Sequence, residues 1–467
     1  MVALDSLVVT TALSAIRADL GASIGQLEWT VNAYVLSFAV LIMTAAALGD
    51  RLGRRSVFAT GLGLFTAASA ACALAPGIGW LIAARAIQGA GAALVMPLAL
   101  ALLGAAFPPE RRGRAIGIFS SFAGLSVLCG PLVGGAAVEG LAWPWIFWIN
   151  VPIGLLTFAL TLTRVEESRG AKTALDVRGL ALVTGAAFGI VWGLVRANSS
   201  GWGSVEVVAA LALGALLTAA FVGYERRARE PMLPMGLFRS RAFSAGNAAM
   251  FFMWASGLGT LFFMAQFFQA TLGYGPFDTG LRLMPWGACT VVVAQLSGRL
   301  INRVGERALV AGGLALQAGC MAWTAAIAEP GLAYGEIVAP LVLSGTGFAL
   351  AIPAIQSSVL GAVAPQNIGK ASGTLTTMRQ LGGAFGVAVL AAVFAGAGSY
   401  ASAQAFADGF VAASGGSAAL ALCGALAALA LPAARADRAT GPAAGITPGA
   451  ATPAGTVAAQ AGGRPGA

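Results

Sequence analysis

Asp5 and Arg85 are the two residues whose types promise chemistry, because each is a charge set in a long apolar stretch. A guanidinium within a bilayer-crossing helix costs roughly 2.5–3.5 kcal/mol on insertion scales, so it faces a partner or a water-filled cavity. Asp5 is the matching carboxylate. Desolvation raises a carboxyl pKa and a nearby cation lowers it, which poises Asp5 between holding a proton and meeting a cation. The chain has no histidine, the usual carrier near neutral pH, so proton chemistry falls to carboxylates. Two plainer placements stand beside this one: Arg85 snorkelling to the interface from near its helix start, and Asp5 lying at an interfacial, frayed terminus.

Other chemistry has little to work with. The five cysteines (Cys72, Cys129, Cys289, Cys320, Cys423) lie singly in apolar segments with no CxxC pair, so no metal site, redox motif or disulfide framework is indicated. No GxxxxGK[ST] loop appears, and no nucleophile–base pair is visible. The sequence reads as no enzyme, with no metal, nucleotide or organic cofactor.

The elements that hold these charges follow from composition. The 467 residues are 58% hydrophobic and 10% charged, with mean hydropathy +0.83, whereas soluble domains run about 45–50% apolar and about 25% charged. Apolar stretches long enough for a ~30 Å hydrocarbon core recur near 2–16, 29–48, 56–75, 79–103, 115–138, 144–163, 179–196, 205–224, 244–268, 279–300, 307–327, 334–362, 371–396 and 416–432. That predicts an all-α integral membrane protein of 14 spans. With a cytoplasmic amino terminus, 22 of the 27 basic residues fall on inside segments and only Arg17, Arg196 and Arg282 outside, as the positive-inside rule requires. The net charge of +9 therefore belongs to interhelical loops and not to a nucleic-acid surface. Trp29, Trp80, Trp143, Trp145, Trp202 and Trp286 gather near the outer ends, like an interfacial belt. The first span, Val2 to Ile16, is 15 residues or about 22 Å of helix, short enough to read as truncated. After Pro432 an Ala/Gly/Pro/Thr-rich tail, 433–467, reads as disordered and cytoplasmic.

The chain also repeats itself. Asp50, Arg51, Gly53 and Arg55 correspond, 252 residues on, to Asn302, Arg303, Gly305 and Arg307. At an offset of 256, Gly89, Gly91, Ala93 and Pro97 pair with Gly345, Gly347, Ala349 and Pro353, and Pro109, Gly113, Ala115 and Gly117 with Pro365, Gly369, Ala371 and Gly373. An even number of spans separates the copies, so the duplication is parallel. Arg85 has Leu341 as its counterpart, so the fold itself does not need that charge. The spans at 179–196 and 205–224 lie between the copies as an insertion.

These motifs resemble the fourteen-helix drug/proton antiporter family of the major facilitator superfamily. Leu4-Asp5-Ser-Leu-Val-Val-Thr-Thr-Ala-Leu13 resembles its first-helix motif, and Leu48-Gly-Asp-Arg-Leu-Gly-Arg-Arg55 the loop motif between helices two and three. Arg85-Ala-Ile-Gln-Gly-Ala-Gly-Ala-Ala93 is similar to the fourth-helix motif, and Gly130-Pro-Leu-Val-Gly-Gly135 to the fifth-helix antiporter motif. Trp145-Ile-Phe-Trp-Ile-Asn-Val-Pro-Ile-Gly154 is similar to the sixth-helix opening, and Arg379-Gln-Leu-Gly-Gly383 to the thirteenth helix. Ala46 stands where the loop motif usually has its first glycine.

The resemblance implies two six-helix bundles, 1–165 and 242–432, with a two-helix insertion at 177–226 between them. It implies a secondary transporter driven by the proton gradient. Small amphipathic or cationic compounds would leave by alternating access, in multidrug or antibiotic efflux; a specific metabolite or self-made antibiotic is the alternative cargo. The implied setting is the plasma membrane, with both termini cytoplasmic and the chain working as a monomer. Its partners would be substrate, protons and lipid, without nucleic acid or nucleotide. Asp5, Arg85, Gln88, Arg379 and Gln380 would serve proton coupling and the substrate cavity. Asp50, Arg51, Gly53, Arg54, Arg55, Asn302 and Arg303 would form a cytoplasmic gate, against the plainer reading of a solvated loop. Gly130, Pro131, Gly134 and Gly135 would bend the antiporter helix, or simply let helices pack closely. Trp254, Phe262, Phe263, Phe267 and Phe268 offer an aromatic pocket, lipid-facing packing being the commoner fate of such residues.

Overall fold

The computed structural model describes residues 1–106, 126, 129–130, 132–168, 176–228, 235–363 and 368–432. They form helices α1 (Val2–Leu20), α2 (Ile24–Leu52), α3 (Arg54–Ala73), α4 (Ile78–Ala106), α5 (described over 132–140) and α6 (Trp145–Arg164). Then come α7 (Val177–Ser200), α8 (Val205–Glu225), α9 (Arg241–Ala270) and α10 (Pro276–Val304). The last four are α11 (Glu306–Ile327), α12 (Tyr334–Gly361), α13 (Ile368–Ala397) and α14 (Ala403–Leu429). No strand occurs among the described residues, because a chain crossing lipid must satisfy its backbone internally.

The fourteen helices agree with the sequence expectation, with two corrections. α1 is 19 residues and ends at Gly21 in the left-handed region (φ 61°), about 28 Å at the helical rise, so it is not short. Its last turn carries Arg17, which reads as a break in the apolar run but packs over the Tyr400 ring at 3.9 Å. α14 begins at the Ser402 cap, well before 416, because Gln404 and Asp408 pair with each other on its surface. The Arg111–Arg114 loop, Pro131 and the 433–467 tail lie outside the described residues.

Within the first bundle α4 packs on α2 and α3, and α3 on α6; within the second α9 packs on α13 and α14, and α11 on α12 and α14. α7 and α8 pair through close glycine contacts, Gly189 against the Ala210 carbonyl and Gly214 against Ile190, the small-residue packing expected in lipid. α7 also leans on α2 and α13. The two repeated tight turns, α2–α3 and α10–α11, each pivot on a glycine of positive φ: 115° at Gly53 and 88° at Gly305. L-residues rarely adopt that conformation, which is why the loop motif spaces its glycine with its charges.

Several contacts seal the two bundles at the arginine-poor end. Ser14 donates to Gln269, and Gln269 donates on to the Thr11 carbonyl at 3.1 Å. The Phe277 N–H at the start of α10 donates to Glu139 at 2.9 Å. A Cβ on Gly135 would meet the Pro276 carbonyl at 2.2 Å, so glycine is required for α5 and α10 to meet there. Gly134 presses instead on α1, with Thr11 Oγ1 at 2.5 Å from its would-be Cβ. For these two glycines close packing is the role the structure displays.

Candidate functional site

Five helices contribute to a network built around one carboxylate. Asp5 of α1 is 1% exposed, and its Oδ2 accepts from Arg85 Nη1 of α4 at 2.5 Å. Its Oδ1 accepts from Gln88 Nε2 at 3.0 Å and from Asn150 Nδ2 of α6 at 2.9 Å. Gln88 is locked in turn: Nε2 also reaches Ser69 Oγ of α3 at 2.7 Å, while Oε1 accepts from Arg85 at 2.7 Å. The i, i+3 spacing of Arg85 and Gln88 puts both on one helix face.

The guanidinium is wrapped on every side. Arg85 Nε donates to the Thr30 carbonyl of α2 at 3.0 Å. Its Cζ lies 4.2 Å from the Tyr34 ring centre, a cation–π contact that steadies a desolvated charge. Tyr34 OH donates back to the Val2 carbonyl at 3.2 Å, closing the ring of contacts onto α1. A buried ion pair survives only when further hydrogen bonds satisfy its remaining donors and lone pairs, and here both partners are satisfied.

Asp5, Arg85 and Gln88 are thus brought together as the sequence reading placed them, and neither snorkelling nor a frayed terminus describes them. Asn150, Ser69, Thr30 and Tyr34 complete the network and were missed. Neutral polar residues in apolar helices leave no charge signal, although Asn150 stands inside the quoted sixth-helix motif. Arg379 and Gln380 make no hydrogen bond to Asp5 or Arg85 among the described residues. Arg379 sits on α13 with its Cζ 5.3 Å from the Trp254 ring, and its charge also reaches Tyr34 of the network. Phe262, Phe263, Phe267 and Phe268 line no pocket and face no lipid: all are at most 1% exposed. Phe267 stacks on Phe410 at 4.3 Å and Phe263 on Phe394 at 5.0 Å inside the second bundle.

At the arginine-rich end the side chains of Asp50 and Asn302 lie outside the described ones, and Arg51 and Arg303 are exposed. The organiser visible there is a residue the sequence reading did not single out. Glu167, from the loop after α6, accepts from the backbone N–H groups of Arg55 at 2.9 Å and Ser56 at 3.2 Å, and from Ser56 Oγ at 2.6 Å. It therefore caps the free N–H groups of α3 from outside. Arg54 N–H reaches the Ser168 carbonyl at 2.9 Å, and Arg55 Nη1 the Val165 carbonyl at 3.3 Å. Partial desolvation pushes the Glu167 carboxyl up, but the Ser56 hydroxyl and the three backbone donors outweigh it and hold the group below its usual range.

The Major Facilitator Superfamily family model matches residues 1–387. The chain belongs to that superfamily. It is 36% identical to the tetracenomycin C resistance and export protein of Streptomyces glaucescens, over 85% of this chain and 74% of that protein. It is 37% identical to the cephamycin export protein CmcT of Amycolatopsis lactamdurans, over 84% of this chain and 82% of that one. The multidrug resistance protein Stp of Mycobacterium tuberculosis is 36% identical, covering 85% of this chain and 74% of that relative. Among solved structures, a peptide transporter POT superposes with TM-score 0.68 at 17% identity, covering 92% of this chain and 91% of that one. The human organic anion transporter MFSD10 gives 0.59 at 16% identity, covering 91% and 96%. These two speak for the major facilitator fold, two six-helix bundles with α7 and α8 as the additional pair.

Proposed function

We propose that the chain is a proton-coupled exporter of small amphipathic compounds and that Asp5 carries the coupled proton. The observation that carries this reading is the buried Asp5 carboxylate with three donors drawn from two other helices. Protonating Asp5 cancels the charge that anchors Arg85 and turns one acceptor into a donor. The attachments of α4 and α6 to α1 weaken together. A change at one atom becomes a change in how the first bundle holds together, which alternating access requires.

The arginine distribution orients the cycle. It supports a multi-pass plasma-membrane protein with cytoplasmic termini, so the sealed arginine-poor mouth faces outward. Opening that mouth would admit protons to Asp5 and release cargo, and deprotonation on the inside would reset the site. A membrane potential adds about 2.3 kcal/mol per charge per 100 mV to whatever pH gradient is present. Both bundles lie in one chain, which supports action as a monomer. The relatives named for export and resistance support an efflux direction. Those named for single compounds favour a second reading, in which the cargo is one antibiotic or metabolite.

Proteoliposomes holding the purified chain, given an imposed pH gradient and no nucleotide, test this directly. Addition of a transported compound from a panel of tetracycline-like, β-lactam and cationic dye molecules is expected to drive proton movement. Compound accumulation that ignores a collapsed gradient, or that needs ATP, would overturn the reading.

A further inference from the structure

Beside α4 lies a cleft of about 1110 Å³, walled by α2, α4, the inserted helix α7 and the residues at and after the end of α13, and reaching the arginine-poor end. Ligand pockets run to about 300–1,000 Å³, so this one accommodates a drug-sized body or a lipid chain. α7 contributes Thr184, Phe188, Trp192 and Arg196, four residues at intervals of four and hence one stripe down one helix face. The insertion, which the twelve-helix repeat does not require, therefore supplies a complete wall.

The interior of that wall is aromatic. Trp29 of α2 packs on Phe188 at 6.4 Å and on Trp192 at 5.4 Å, and Phe188 stacks on Trp192 at 5.6 Å. Ile82 and Ala86 of α4 face them. The rim carries two arginines. Arg196 is already tied to Glu206 at 3.0 Å, but Arg17, which lines the rim above the Tyr400 ring, forms no ion pair among the described residues. Ser23, Gly25 and Gln26, the cap and first turn of α2, line the same rim, and a helix start favours negative charge.

We propose that this cleft is a second binding site, for an acidic amphiphile: the acid group on Arg17 and the start of α2, the apolar body between α4 and the aromatic stripe of α7. A bilayer phospholipid and an acidic exported compound share that chemistry. The site stands on geometry separate from the Asp5 network, so it survives or fails independently of proton coupling.

The probe is a diazirine-bearing palmitic acid, photocrosslinked to the full chain in phosphatidylcholine nanodiscs and mapped by mass spectrometry. Label is expected to concentrate on 184–196 and 25–41, and palmitic acid is expected to displace it at least fivefold better than methyl palmitate. Arg17→Gln should cut labelling severalfold. Label spread evenly over the lipid-facing side of α8, or equal competition by acid and ester, would overturn the proposal. The acid–ester comparison needs no variant and so holds even if Arg17→Gln folds poorly. Displacement by phosphatidylglycerol as well would assign the site to membrane lipid; displacement by an acidic compound that the chain transports, and not by phosphatidylglycerol, would assign it to an exported compound. Either result upholds the site.

Discussion

Replacing Asp5 with Asn should cost about 3 kcal/mol, the lower end for breaking a buried ion pair. The lower end applies because Arg85 keeps the Thr30 carbonyl and the Gln88 oxygen. Asparagine has a single oxygen, yet Arg85 donates to one side of Asp5 while Gln88 and Asn150 donate to the other. Whichever way the amide turns, its NH₂ faces a donor. Arg85→Leu should cost less, about 2 kcal/mol, since the stranded carboxyl can neutralise itself by taking a proton. Leucine is suited to that place: the repeat counterpart, Leu341, packs at 3% exposure in the second bundle. The double variant removes both charges and should also lie only about 2 kcal/mol below the parent, giving a coupling energy of about 3 kcal/mol, near the top of the range for contacting pairs. Denaturant unfolding in mild detergent reads all four proteins, and proteoliposome flux reads coupling in the ones that fold. Strictly additive losses would refute the ion pair. An Asp5→Asn chain that still exchanges cargo for protons would remove Asp5 from the mechanism.

Three further outcomes follow from the packing. Gly135→Leu drives a side chain into the Pro276 carbonyl and should hold the arginine-poor mouth open, read as a severalfold rise in labelling of Ser14→Cys by an impermeant maleimide. Gly53→Ala combines a φ of 115° with a Cβ 2.7 Å from the Glu167 carboxyl and should lose about 1–3 kcal/mol in the same unfolding titration. The Glu167 carboxyl is held below its usual range, so its stabilisation is full above the ordinary carboxyl value of about 4.3 and lost as pH falls below it. Glu167→Gln should therefore cost about 0.5–2 kcal/mol at neutral pH, like a lost helix cap. Towards pH 3 the gap to the parent should close; a gap that persists in acid would assign Glu167 a role in packing instead of capping.

What could be read from the residues alone divides along physical lines. Charge in lipid is expensive, so the long apolar runs gave the number and order of helices, arginine placement checked the count, and the same cost drew attention to Asp5 and Arg85. Helix ends were harder, because Arg17 and Asp408 look like breaks until Tyr400 and Gln404 are seen to accommodate them. Neutral partners such as Ser69 and Asn150 were invisible for the opposite reason: a serine or asparagine costs little wherever it sits, so its position carries no information until its neighbour is known. Arg379 shows the limit of reasoning by type. It is as costly a charge as Arg85, yet it lies over Trp254 and makes no hydrogen bond to Asp5 among the described residues.

Among the described residues every side chain that donates to Asp5 belongs to the first bundle, and the place of Arg85 is taken in the second by Leu341. On the coupling role proposed for Asp5, the two repeats divide the labour, with the titrating carboxyl and its partners all held in one of them. Substitutions in the second bundle therefore leave every described side-chain attachment of Asp5 in place.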